Sequence, residues 1–260
     1  MMSGTEESRE IVKRLYDKDK NVLATVATEY GYEIYEKMGL GHLCLQGRLD
    51  TNGLSQLIRN SKVEILIDAT HPYATQASLN AIKACKEGGV KYIRFQRDET
   101  IIKNQKFVNI VKSIDDAVGW CSKSEKKRIL LTTGFTSIDK FVKLKNKKDV
   151  YVRILPVPEH IEQCVKMGIK SSNIFAIQGP FSLEFNKAII EQYKIDVLIT
   201  KDSGKIGGVP EKIQAAKETG IDIVVIKRQD IDYPVKCSSI DEIFVMLGLQ
   251  NREYNEKYNS

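Results

Sequence analysis

The chain has 260 residues, room for two modest domains or one large one. An apolar share of 42% and a charged share of 28% describe an ordinary globular protein, and no stretch approaches the roughly 20 apolar residues of a membrane span or the pattern of a secretory signal. Forty basic against thirty-four acidic side chains leave a charge of +6, much of the excess in two solvated runs, 123–128 and 143–148; without interleaved aromatics or a recognisable module this excludes nucleic acid as the expected partner and leaves a small polyanion.

Ser3-Gly4-Thr5-Glu6-Glu7-Ser8-Arg9 stands before an amphipathic helix, Glu6–Leu15. Small residues at such a place let backbone N–H groups and the helix dipole meet a phosphate. A full G-x-G-x-x-G is absent, and the plainer account is a cap by Thr5 with Glu6 and Glu7 in the first turn. A strand over Val22–Ala27 then leads into Thr28-Glu29-Tyr30-Gly31, where an acid just past the second strand of a dinucleotide-binding half would hold the adenosine ribose hydroxyls. An exposed loop glutamate fits the same residues. The strand Leu43–Gln46 ends in Gly47-Arg48-Leu49-Asp50 before the helix Gly53–Arg59. Asp50 or Thr51 is the expected cap, and Arg48 could reach a carboxylate or phosphate bidentately.

The apolar run Glu64–Ile67 stops abruptly in Asp68-Ala69-Thr70-His71-Pro72, followed by the small-residue helix pattern of 73–88. This reads as a buried strand, a polar turn and a helix opened by Pro72. In a parallel α/β sheet the turn at a strand's carboxyl end is where ligands bind. Asp68, Thr70 and His71 are therefore candidates for chemistry, although each also has a structural account as turn, cap or packing residue.

Strands at Tyr92–Phe95, Arg128–Thr132, Val150–Leu155, Ile174–Ile177, Asp196–Thr200 and Ile223–Ile226 alternate with helices at Ile114–Trp120, Ser137–Lys145, Pro158–Met167, Ser182–Tyr193, Pro210–Thr219 and Ile240–Leu247. Such alternation means βαβ units and a mainly parallel sheet. Three features of this half concern ligands. Arg153 lies in a strand that ends in a stiff Leu-Pro-Val-Pro turn. Gln178-Gly179-Pro180-Phe181-Ser182 joins a strand to a helix, with Ser182 as cap. Thr200-Lys201-Asp202-Ser203-Gly204 follows an apolar strand, so Lys201, Ser203 and loop N–H groups could bind a carboxylate there. The polar hexamer 122–127 is the expected linker, giving domains 1–122 and 128–249 and a frayed polar tail, 250–260. His42 and His160 have no partner spacing, and His160, near a helix start with Glu159 and Glu162, reads as a surface residue. Without an H-x-x-x-H pair no metal site is expected, and five scattered cysteines read as buried, reduced thiols of a cytoplasmic protein.

Together Ser3–Arg9, Gly47-Arg-Leu-Asp, Asp68-Ala-Thr-His-Pro-Tyr-Ala, Gln178-Gly-Pro-Phe-Ser and Thr200-Lys-Asp-Ser-Gly resemble the precorrin-6A reductase family of cobalamin biosynthesis, including its cobalt-precorrin form. The likeness runs from Ser3 to about Arg228. It implies an α/β fold of two Rossmann-like domains with mainly parallel sheets and an interdomain cleft, and hydride transfer from NADH or NADPH to a ring carbon of an anionic tetrapyrrole. It further implies cofactor contacts from Gly4, Thr5, Glu6, Glu29, Arg48, Asp68, Ala69 and Thr70. Substrate contacts would come from Arg153, Gly179, Pro180, Phe181, Lys201, Ser203 and Gly204, with His71 and Lys201 as catalytic candidates. Glu29 would repel a 2′-phosphate, which favours NADH. Such a fold needs an apolar strand before Gly4, where this chain has only Met1-Met2, so a gap beside the second strand is expected, as is a natural start upstream of Met1. Two rival readings are a cofactor-independent two-domain tetrapyrrole enzyme of the uroporphyrinogen-III synthase type and a non-catalytic module that closes on an anionic ligand.

Overall fold

The computed structural model describes residues 1–96, 105–204 and 207–249; the expected tail, 250–260, lies outside them. The chain divides into two units, Met1–Asp98 with Asp230–Ser260, and Glu99–Gln229.

The first unit begins with α1 (Glu6–Tyr16), capped by Thr5, whose hydroxyl accepts from Ser8 N–H. There follow β1 (Ala24–Val26), α2 (Glu29–Lys37), β2 (Cys44–Gln46), α3 (Thr51–Asn60), β3 (Ile65–Asp68), α4 (Thr75–Gly88) and β4 (Lys91–Phe95). All ladders are parallel. The expected gap is filled. Met2 bridges both Thr25 and Asp68, with Met2 N–H donating to Ile67 O at 2.8 Å and Ala69 N–H to Met2 O at 2.9 Å. Three residues suffice because the neighbours supply the ladder on both sides. The spatial order is thus β2, β1, Met2, β3, β4, and the direction of winding reverses between Met2 and β3. Leu66 packs with Leu54, Ile58, Ala81 and Ala84 on one face, while Ile67 packs with Ile11 and Leu15 on the other. That alternation buries both faces, as helices on both sides of a parallel sheet require.

The second unit holds β5 (Val108–Val111), α5 (Ile114–Lys123), β6 (Arg128–Leu131), α6 (Ile138–Val142), β7 (Asp149–Ile154), α7 (Pro158–Lys166), β8 (Ile174–Ala176), α8 (Leu183–Gln192), β9 (Val197–Lys201), α9 (Val209–Thr219) and β10 (Asp222–Ile226). Its sheet runs β5-β10-β9-β6-β7-β8, all parallel, and reverses between β6 and β9. The chain then returns to the first unit for β11 (Lys236–Cys237), which extends that sheet beside β4, and α10 (Ile240–Met246). Ile243 and Phe244 of α10 bury against Ile67, Ile93 and Phe95, each such side chain stabilising by about 1.5–3 kcal/mol.

This division differs from the expected one at 122–127. That segment is a helix end and turn inside the second unit, tied down by the Lys148 ammonium, which donates to the carbonyls of Ser124 and Lys126. The 229–249 segment belongs to the first unit because its strand pairs with β4.

Candidate functional site

In each unit strand carboxyl ends meet at the winding reversal, the edge at which open α/β sheets generally bind ligands. On the first unit this edge gathers Gly4 and Thr5 after Met2, Glu29 after β1, Arg48 after β2, and Ala69, Thr70 and His71 after β3. The first and last of these turns touch: the Thr5 hydroxyl donates to Ala69 O at 3.3 Å, and a Cβ on Gly4 would stand 3.7 Å from His71 N.

The amides of Gly4 and Thr5 both donate to Ser8 Oγ at 3.1 Å. The Ser8 hydroxyl in turn donates to Thr5 O and lies 2.6 Å from Ser3 Oγ, which meets Tyr35 Oη at 2.8 Å. The cap expected of Thr5 is present, and the two amides expected to face a phosphate are already spent on a side chain. Glu6 is exposed in the first turn of α1.

Asp68 is fully buried, and it holds the turn together rather than facing outward. One carboxylate oxygen accepts from Thr70 N–H, Thr70 Oγ1 and Arg94 Nη1, the other from Ser78 Oγ and Tyr92 Oη. Arg94 also donates to Thr70 O at 3.1 Å. The α4 helix starts at Thr75, not at Pro72, because residues 71–74 form a turn closed by Ala74 N–H on His71 O. His71 is exposed. Its Nδ1 accepts from Tyr73 N–H at 3.3 Å, which fixes the neutral ring as the Nε2–H tautomer.

Glu29 opens α2 rather than lying in a loop, and Thr28 caps the helix by accepting from Gly31 N–H at 3.1 Å. Gly47, at φ 145°, turns the chain out of β2 while its N–H donates to Val26 O. That bond sets the exposed Arg48 loop beside the end of β1. Asp50 caps α3 through Gly53 N–H at 2.8 Å.

On the second unit Arg153 is 6% exposed, near the end of β7. Its Nη1 donates to Asn186 Oδ1 at 2.9 Å, and its guanidinium lies 4.1 Å from the Phe181 ring centroid. Burial pushes its pKa down to about 10. The Gly179–Pro180 peptide is cis. A Cβ on Gly179 would stand 2.8 Å from the Phe181 ring, so a side chain there would push the ring off Arg153. Ser182 caps α8 as expected. Lys201 ends β9 half-buried, and desolvation lowers its ammonium pKa. The following turn is fixed from within: Ser203 N–H donates to Lys201 O, Gly204 N–H to Asp202 Oδ1, and Arg228 Nε to Asp202 O. Gly204 sits at φ 78°.

His160 is not a bare surface residue: it stacks on Phe135 with ring centroids 4.1 Å apart. Sequence reasoning missed Arg94, Asn186 and Lys212. Arg94 had a signal, an arginine inside the apolar strand Tyr-Ile-Arg-Phe. Lys212 had one too, since it follows Val209 by three and precedes Ala215 by three, on the helix's buried face. Among the described residues no group of three or more His, Cys, Asp or Glu is placed to hold a metal, and no helix is long and apolar enough to cross a membrane.

The family model described as Precorrin-6x reductase CbiJ/CobK matches residues 1–247. A Cobalt-precorrin-6A reductase of Methanocaldococcus jannaschii is 37% identical over 244 residues, covering 94% of this chain and 95% of that protein. One of Methanothermobacter thermautotrophicus is 36% identical over 237 residues, covering 89% and 76%. The solved structure titled CobK precorrin-6A reductase superposes with a TM-score of 0.74 at 22% identity, covering 95% of this chain and 94% of that one, a likeness of fold.

Proposed function

The chain belongs to the Precorrin-6x reductase CbiJ/CobK family, an oxidoreductase of cobalamin biosynthesis acting on a CH–CH group, and from that premise we propose that it reduces a C=C bond of cobalt-precorrin-6A with hydride from NADH, in the cytoplasm. The observation that carries the substrate side is Arg153. A buried guanidinium at a ligand edge, with no carboxylate within ion-pair distance among the described residues, is costly unless an anion arrives. The acetate and propionate arms of a corrin precursor are such anions, and Lys201 stands on the same edge.

The first unit's edge fits a dinucleotide in its chemistry. Gly4 lies against Thr70 and His71, Glu29 is exposed at the start of α2, where it would accept from ribose hydroxyls, and Arg48 is exposed after β2. A bound nicotinamide would supply the hydride. Glu29 and Arg48 would orient the adenosine end, and Ala69 and Thr70 would position the ring end. Asp68 acts through Thr70, as a positioning residue. His71 would hold a proton at Nε2 for the carbon next to the reduced one, Lys201 being the other candidate. Phe181, Gly179, Pro180, Ser203 and Gly204 would line the macrocycle's side.

The test is incubation with NADH or NADPH and cobalt-precorrin-6A, following cofactor absorbance and the macrocycle's spectrum. Oxidation of NADH with a chromophore shift is expected. Absence of turnover with either cofactor refutes the reading.

A further inference from the structure

Lys212 has no place in the roles assigned so far. It lies in the first turns of α9, 7% exposed, and its ammonium donates to Gly207 O at 2.7 Å. It forms no ion pair among the described residues. Arg153, also buried, approaches the same loops from β7, where its guanidinium lies against the Phe181 ring. The connection between them is visible in the loops: Phe181, which stacks on Arg153, places its carbonyl 4.0 Å from where a Cβ on Gly208 would lie. Gly208 is the N-cap of α9.

We propose that Arg153 and Lys212 form a two-cation pocket that receives one carboxylate arm of the macrocycle. That the arm belongs to a macrocycle rests on the reading above; the pocket itself rests on the two buried cations. Like charges held together away from water raise each other's cost, and a carboxylate between them repays it with charge-assisted hydrogen bonds to both. Asn186 prepares the pocket. Its Nδ2 donates to Ser182 O at 2.7 Å, which turns Oδ1 toward Arg153 and leaves the rest of the guanidinium fork for a ligand.

The charged groups that bear on Lys212 are Arg153 from β7 and Glu211 from α9 itself. Glu211 does not neutralise it, for no ion pair joins them and Glu211 Oε2 is buried without a hydrogen-bond donor among the described residues. Desolvation first and Arg153 second push the Lys212 ammonium down to about 7, with Glu211 opposing. A carboxylate entering the pocket restores the charged form, so binding draws a proton from solvent at neutral pH and weakens above it.

The experiment compares wild type, Lys212→Met and Lys212→Arg as full chains. Steady-state rates with cobalt-precorrin-6A are taken from pH 6 to 9, and thermal shifts with uroporphyrin, a stable polycarboxylate macrocycle, are taken alongside. Lys212→Met is expected to raise KM roughly tenfold or more while kcat stays within about threefold. Wild-type KM is expected to climb above pH 7, and Lys212→Arg, charged throughout, to flatten that climb. Unchanged KM in Lys212→Met overturns the pocket. So does a loss of kcat in both variants at constant KM, which makes Lys212 a proton donor. Should the wild type show no turnover, the reductase reading fails separately, and the pocket is then decided by whether uroporphyrin stabilises wild type but not Lys212→Met. Circular dichroism of Lys212→Arg controls for folding.

Discussion

Arg94 and Asp68 meet at 2.7 Å with neither side chain reaching solvent. The pair sits directly beneath the turn Ala69–His71, and every other donor on the carboxylate comes from Thr70, Ser78 or Tyr92. Buried ion pairs add little net stability as pairs, but removing one partner strands a charge. Arg94→Leu is therefore expected to destabilise the protein by about 3–5 kcal/mol, read as a lower urea midpoint. The double variant Asp68→Asn with Arg94→Leu should recover much of that loss. If the single and double variants lose the same amount, the pair is not what holds the turn.

Ser8 gives a second test, because its hydroxyl answers two amides at once. Ser8→Ala should cost about 1–2 kcal/mol of stability from the lost cap. If a pyrophosphate takes over the Gly4 and Thr5 amides, saturating NADH reduces that loss. Equal melting-temperature drops with and without NADH would take these amides out of cofactor binding.

At the proposed cofactor site, Glu29 after β1 would disfavour a 2′-phosphate, whereas Arg48 after β2 would attract one. Glu29→Gln should leave NADH turnover within severalfold and narrow the NADH-over-NADPH ratio in kcat/KM by about tenfold, some 1.4 kcal/mol. A ratio that does not move sinks the assignment of Glu29 to the ribose.

The alternation of apolar runs with amphipathic stretches made nine strands legible, because each is a buried run bounded by turn residues. What escaped had too little pattern or too distant a partner. Met1–Ser3 joins the sheet only through the bridges that Met2 makes to β1 and β3. The β5 strand, Val-Asn-Ile-Val, is half exposed, and β11 has two residues. The α2 helix buries only Tyr35. The division into units was misplaced because it is decided by β11 joining β4, a pairing across some 140 residues that no local composition announces. Of the candidate site, the turns were legible as loops at strand carboxyl ends. The partners that fill Asp68, and Lys212 on the buried face of α9, became visible only once the fold brought them together.

The five cysteines, Cys44, Cys85, Cys121, Cys164 and Cys237, are all buried and free. Burial pushes every one of these thiols up, Cys121 to about 12 and Cys44, Cys85 and Cys237 to about 11. Thiolates, not thiols, react. A chromogenic disulfide reagent at pH 8 is expected to label almost none in the native protein and all five after denaturation. Fast labelling of one or more in the native state would show a reactive thiol the fold does not account for.

Lys212 also carries a stability prediction that needs no ligand. Its ammonium falls from 10.5 in the unfolded chain to about 7 in the fold. Between those values the unfolded state binds the extra proton, so stability rises with pH across the interval. Below about pH 7 both states are protonated and the burial penalty is present in full; above 10.5 both are neutral and it is gone. Each tenfold displacement of a proton equilibrium is worth about 1.4 kcal/mol, which makes the penalty a few kcal/mol. Lys212→Met removes the titration while cysteine and tyrosine titrations stay common to both proteins. Urea unfolding at pH 6, 8 and 10 should therefore show Lys212→Met gaining most on the wild type at pH 6 and that advantage shrinking steadily toward pH 10. A difference independent of pH means that Lys212 keeps its charge in the fold, compensated by a partner such as Glu211.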